Sequence, residues 1–89
     1  MAGIIIVHQR IMERHPEISE EDVIHAWKNT LRYVQRRRNG TDSFVAVGPD
    51  RQGRVIEMVG VFLSGGDWLI FHAMRPPTKN TLKELGLLL

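Results

Sequence analysis

The chain has 89 residues, of which 43% are hydrophobic, carries a formal charge of +2 and contains no cysteine. One core of that size is viable while two would each be too small, so a single domain over residues 1–89 is expected. Disulfides and thiolate-held metals are excluded, which suits a reducing cytoplasm, and the short apolar run before His8 is too brief for a signal peptide or a membrane span.

The charge is unevenly spread. Residues 13–22 carry five acids against one arginine, whereas Lys28 to Arg54 hold seven basic residues (Lys28, Arg32, Arg36, Arg37, Arg38, Arg51, Arg54) against Asp42 and Asp50. Such a block attracts phosphates as a nucleic-acid surface does. It equally describes an arginine-rich edge strand that discourages aggregation.

In chain order, the β-branched run Gly3 to Val7 predicts a short N-terminal strand. The segment from His8 to His15 offers one or two helical turns with Ile11, Met12 and His15 on one face, stopped by Pro16. Ser19 is a good N-cap, Glu20, Glu21 and Asp22 follow where the helix dipole favours anions, and Val23, Trp27 and Leu31 recur every four residues. A helix over about residues 20–30 is expected.

Four extended segments come next, separated by Asn39-Gly40, by Asp50 to Gly53 and by Gly65-Gly66, all turn-forming. Short links between consecutive strands predict an antiparallel meander. The third segment, from Arg54, is apolar on both alternating faces, so it is expected to be central and covered on both sides. Pro76-Pro77 end the last strand, Thr78 caps a helix over 79–85, and Gly86 suits the left-handed residue beyond it, with Leu82 and Leu87 placed to touch. The order β-α-α-β-β-β-β-α describes an α+β domain, a four-stranded antiparallel sheet with a short N-terminal strand, two N-terminal helices and a C-terminal helix.

Chemistry concentrates at the corner after the last strand. His8, His15, His25 and His72 show no metal-binding spacing, and no phosphate-cradling glycine loop or nucleophile elbow is present. Two-residue alternation puts His72 on the face of Trp68, Ile70 and Met74. It is a structural histidine or a proton shuttle titrating near neutrality. Arg75, Thr78 and Lys79 follow closely, and Arg54 would lie beside His72 if the hairpin pairs simply. Glu57, between Ile56 and Met58, needs a partner, which Arg54, Arg75 or a histidine could supply. Trp27 and Trp68 are expected in the core rather than as stacking platforms, and Leu87 to Leu89 either fold under the domain or meet another chain.

The order of these features over residues 8–86 resembles the BrnT-type toxins, small ribonucleases of the RelE/ParE-like superfamily. The matching stretches are Arg14-His15-Pro16-Glu17-Ile18 with Glu20 and Glu21, the pair Ala46-Val47-Gly48 and Gly53-Arg54, and the corner from His72 to Thr78. His72 stands where that family usually has serine, and Met74 where it has arginine, with Arg75 one residue along. The resemblance implies a RelE-like fold, endoribonuclease activity and a cognate antitoxin. It implies cofactor-free and metal-free cleavage through the 2′-hydroxyl, with His72 as base or acid, Arg54 and Arg75 on the phosphate, and Lys79 as auxiliary cation. Arg36, Arg37, Arg38 and Arg51 would bind RNA by sequence-independent attraction. Two alternatives stay open: a non-catalytic nucleic-acid or protein-binding module, suggested by Met74, and a homodimerisation domain using the C-terminal leucines.

Overall fold

The computed structural model describes residues 3–38 and 41–88; the turn expected at Asn39-Gly40, Leu89 and the side chains of Arg38 and Thr41 lie outside the described residues. The elements are β1 (Ile5–Val7), α1 (Arg10–Arg14), α2 (Glu20–Lys28), β2 (Arg32–Arg38), β3 (Thr41–Pro49), β4 (Val55–Phe62), β5 (Trp68–Met74) and α3 (Lys79–Glu84). Their class is α+β, as expected. The sheet has five strands in the order β1-β5-β4-β3-β2 and is mixed rather than purely antiparallel. The meander β2 to β5 pairs antiparallel throughout, whereas β1 lies parallel to β5, with Ile5 opposite Trp68 and Val7 opposite Ile70. β1 can run that way because two helices and three strands separate it from its neighbour, more than enough chain for the return a parallel pair requires.

The Ser19 hydroxyl accepts from the Asp22 amide at 3.1 Å and starts α2. The helix ends at Lys28, short of the expected boundary, because the Leu31 amide already bonds the Val47 carbonyl at 2.8 Å and so belongs to the sheet. Leu31 therefore leaves the apolar helix face and is 66% exposed. At the other end of the chain the Thr78 hydroxyl accepts from the Thr81 amide at 3.2 Å, and α3 closes with Gly86 at φ 73°. Gly86 donates to Lys83 at 3.0 Å and Leu87 to Leu82 at 2.8 Å, the paired bonds of a left-handed helix stop. Leu87 and Leu88 remain exposed.

Period-two alternation gives the sheet two covered faces. On one, α1 and α2 pack Ile11, Ile18, Val23 and Ala26 against Ala46, Ile56, Met58, Ile70 and Ala73. Backbone approaches backbone closely there: a Cβ on Gly48 would lie 2.1 Å from the Ala26 carbonyl oxygen. On the other face Val45, Val47 and Glu57 are buried, and α3 contributes Thr81 and the following Leu85. β4 is thus the central strand, covered on both sides as its sequence predicts.

Trp27 and Trp68 are half-buried at the margin of the core, with ring centroids 5.3 Å apart. Phe44 and Phe62 pack on Trp68 with centroids at 5.2 and 4.9 Å. Among the described residues no helix is long and apolar enough to cross a membrane.

One irregularity decides the placement of the site. Val59 pairs with His72 but the next residue, Gly60, pairs with Ile70, so Phe71 is an extra residue in β5. This bulge reverses the alternation beyond it. Ile70 and Ala73 both enter the core, and His72 turns to the α3 face, away from Ile70 and not beside it as simple alternation predicts.

Candidate active site

Glu57 and Val59 alternate onto the α3 face of β4, and the bulge brings His72 opposite Val59. The His72 Nε2 lies 2.8 Å from Glu57 Oε2. The other carboxylate oxygen, Oε1, accepts from the Thr78 amide at 2.7 Å and from its hydroxyl at 3.0 Å. Glu57 is only 5% exposed. Burial pushes its pKa up, but the hydrogen bonds from His72, the Thr78 amide and the hydroxyls of Thr81 and Thr78 outweigh it and lower the pKa to about 2. The partner that a buried glutamate requires is therefore His72, not Arg54 or Arg75.

An ionised Glu57 can only accept, so Nε2 carries the imidazole proton toward it and Nδ1 is left as a base without a partner among the described residues. About a third of the His72 side chain is exposed. It opens on a groove of about 510 Å³. The groove walls are Arg10, Ile11, Arg14 and His15 from α1 and its end, Arg36 from β2, Ser43 from β3, and Thr81 from α3, over a floor of β4 and β5 residues.

The cations of this groove are held differently. Arg10 donates from Nε to the carbonyl of the bulged Phe71 at 3.2 Å, and its guanidinium lies 5.8 Å from the centre of the Phe71 ring. Arg14, one turn along, has no hydrogen-bond partner among the described residues. Arg36 makes a two-pronged ion pair with Glu84, whose hydrogen bonds raise the Arg36 pKa further.

Arg54 and Arg75 are brought together, but around Asp50 and apart from His72. Asp50 is buried and accepts from the amides of Gln52 and Arg54 at 2.9 Å and from Arg54 Nε at 3.0 Å, while Arg75 Nη1 stands 3.5 Å away. Burial raises the Asp50 pKa, and the Arg54 and Gln52 amides and the Arg54 guanidinium more than reverse it. Arg75 follows Ala73 by two residues onto the α2 side, where its Nη2 donates to the Glu17 carbonyl at 3.0 Å. It is thus on the opposite sheet face from His72. Lys79 is exposed in the first turn of α3.

The arginines expected to bind RNA are paired with carboxylates wherever their side chains are described. Arg37 meets Asp42 at 2.9 Å, Arg51 meets Asp22 at 2.9 Å, and Arg36 meets Glu84. Asp22 serves two purposes, a residue in the first turn of α2 and an anchor for the β3–β4 turn through Arg51. β2 is the outer strand, so its arginines also meet the description of a charged sheet edge.

Arg10, Arg14 and His15 line the groove without having been singled out as site residues in the sequence. The four-residue spacing of Arg10 and Arg14 on a short helix was the available signal. Among the described residues no three His, Asp or Glu side chains converge as a metal site. Compared with known protein families, with curated proteins and with solved structures, the chain matches none.

Proposed function

We propose that the protein is a toxin-type endoribonuclease that cuts RNA through the RNA's own 2′-hydroxyl, acts in the cytoplasm and is held in check by a cognate antitoxin. The observation that carries this is the His72–Glu57 pair at 2.8 Å, opening on a groove walled by arginines. His72 Nδ1 takes the 2′-hydroxyl proton, and the freed oxygen attacks phosphorus. Ionised Glu57 fixes the ring and stabilises the imidazolium, the role of the carboxylate in a hydrolytic triad. Arg10 and Arg14 balance the charge that grows on the phosphoryl oxygens. These two arginines replace Arg54 and Arg75, whose charges already serve Asp50.

The proposal is tested by inducing the isolated gene while growth and total RNA integrity are followed. Growth arrest with RNA breakdown is expected, lifted by His72→Ala. Purified protein that binds RNA yet leaves it intact for hours would overturn cleavage.

That outcome would favour the second reading, a non-catalytic binding module on the same fold. Its specific support is an apolar slot of about 290 Å³ between Trp27, Tyr33, Phe44 and Trp68, on the sheet face away from His72.

A further inference from the structure

The groove contains a second imidazole. His15 caps the C-terminus of α1, its backbone N–H donating to the Ile11 carbonyl at 2.8 Å. It lines the same groove as His72, from the end of α1 rather than from β5. Its side chain is 31% exposed, and Nδ1 stands 3.6 Å from the half-exposed carboxylate of Glu17, too far for a hydrogen bond. Nε2 has no partner among the described residues.

Cleavage by a 2′-oxygen needs a proton donor for the departing 5′-oxygen as well as a base. The groove offers few candidates. Arg10, Arg14 and Arg36 do not release protons near neutrality, and the Ser43 and Thr81 hydroxyls are far weaker acids than an imidazolium. Glu57 is ionised above about pH 2. Besides His72, His15 is the groove-lining side chain whose chemistry lets it both hold and donate a proton.

We infer that His15, as imidazolium, is the general acid of the cleavage step, opposite His72 as base. The inference rests on the cleavage reading proposed above. His72 Nδ1 removes the 2′-proton, the 2′-oxygen bonds to phosphorus, the bond from phosphorus to the 5′-oxygen breaks, and the His15 proton passes to that oxygen. The products are a 2′,3′-cyclic phosphate and a 5′-hydroxyl strand. His72 ends protonated and His15 neutral, and solvent restores both. The charged and titratable groups that share the groove with His15 are Arg10 and Arg14 on α1, Arg36 on β2, Glu57 on β4 and His72 on β5, and Glu17 stands 3.6 Å from its Nδ1.

The test uses purified full-length protein and two single-stranded RNA oligomers of one sequence, one of them with sulfur replacing the bridging 5′-oxygen at the cut linkage. A thiolate is a far better leaving group and departs without a proton. His15→Ala is expected to slow the all-oxygen RNA by about 10²–10⁴-fold, the usual worth of a general acid. The same variant should cut the sulfur-bridged RNA within a few-fold of the native rate and lose the alkaline limb of the pH profile. His72→Ala should slow both. Equal slowing of the two RNAs by His15→Ala, repeated in His15→Gln with an unchanged melting temperature, would overturn the assignment, as would no slowing of either. Native protein that cuts neither RNA would instead remove the cleavage reading itself.

Discussion

Glu57 provides the most direct physical test, because its environment sets both the site and part of the stability. Replacing it with glutamine keeps the shape and removes the charge. In the folded protein the carboxyl pKa falls from an ordinary 4.5 to about 2. The side chain is 7% exposed, so little solvent screening discounts the shift. By linkage a depression of that size corresponds to about 3 kcal/mol. The group is charged in both folded and unfolded chains at neutral pH, so the contribution is present in full above the unfolded pKa. It is lost as pH falls through the folded pKa.

Urea unfolding of native protein and Glu57→Gln should therefore differ by about 3 kcal/mol from pH 7 down to pH 5. The gap should shrink below pH 4.5 and fall to roughly half or less by pH 3. Asp22 and Asp50, whose pKa values are also lowered, titrate in both proteins and cancel, so the difference isolates the Glu57–His72 pair. For a domain of this size a loss of about 3 kcal/mol corresponds to a fall of about 15 °C in melting temperature. A gap that stays constant to pH 3, or that is absent at pH 6, would refute the reasoning.

Three further outcomes follow from individual contacts. Asp50→Asn should cost about 3 kcal/mol by leaving Arg75 without its buried counter-charge, whereas Arg54→Ala, half exposed, should cost about 1 kcal/mol or less and leave RNA cleavage intact; urea unfolding and a cleavage assay check both. Gly48→Ala should destabilise by at least about 2 kcal/mol, because its methyl group would meet the Ala26 carbonyl, while Gly53→Ala, with open space around it but φ 84°, should lose about 1 kcal/mol to backbone strain alone. Thr78→Val should lose about 1–2 kcal/mol with the helix cap and one bond to Glu57, and Thr78→Ser should restore most of it in the same melts.

Much of the fold was legible because its signals are local. Ser19 and the three acids after it, Thr78 and Gly86 around α3, and the turn glycines Gly53, Gly65 and Gly66 at positive φ each act within a few residues. The partner of β1 was not legible, since three β-branched or aliphatic residues fit beside either edge of a sheet. The arginine pairings were hidden for a related reason: Asp22 and Glu84 lie 29 and 48 residues from Arg51 and Arg36. A cationic run in the sequence thus becomes, in the fold, a set of cations largely spoken for.

His72 was named from the sequence, but the face it turns to was misjudged through one residue. Alternation counted along β5 sends His72 to the face of Ile70, yet Phe71 occupies no register position opposite β4. The one sign of this bulge in the sequence, Gly60, lies on the partner strand β4 at the register shift, and nothing within β5 itself marks it. Its effects are nonetheless specific. It aims His72 at the face that Glu57 already occupies, and it frees the Phe71 carbonyl to hold Arg10 at 3.2 Å. Deleting Phe71 removes the extra residue and leaves Gly60 opposite Ile70 and Val59 opposite His72 in one regular ladder, so His72 should keep the α3 face and its bond to Glu57. A folded variant that keeps the pH-dependent stability of Glu57 would agree with that register, whereas a folded variant that loses it would refute the pairing of His72 opposite Val59.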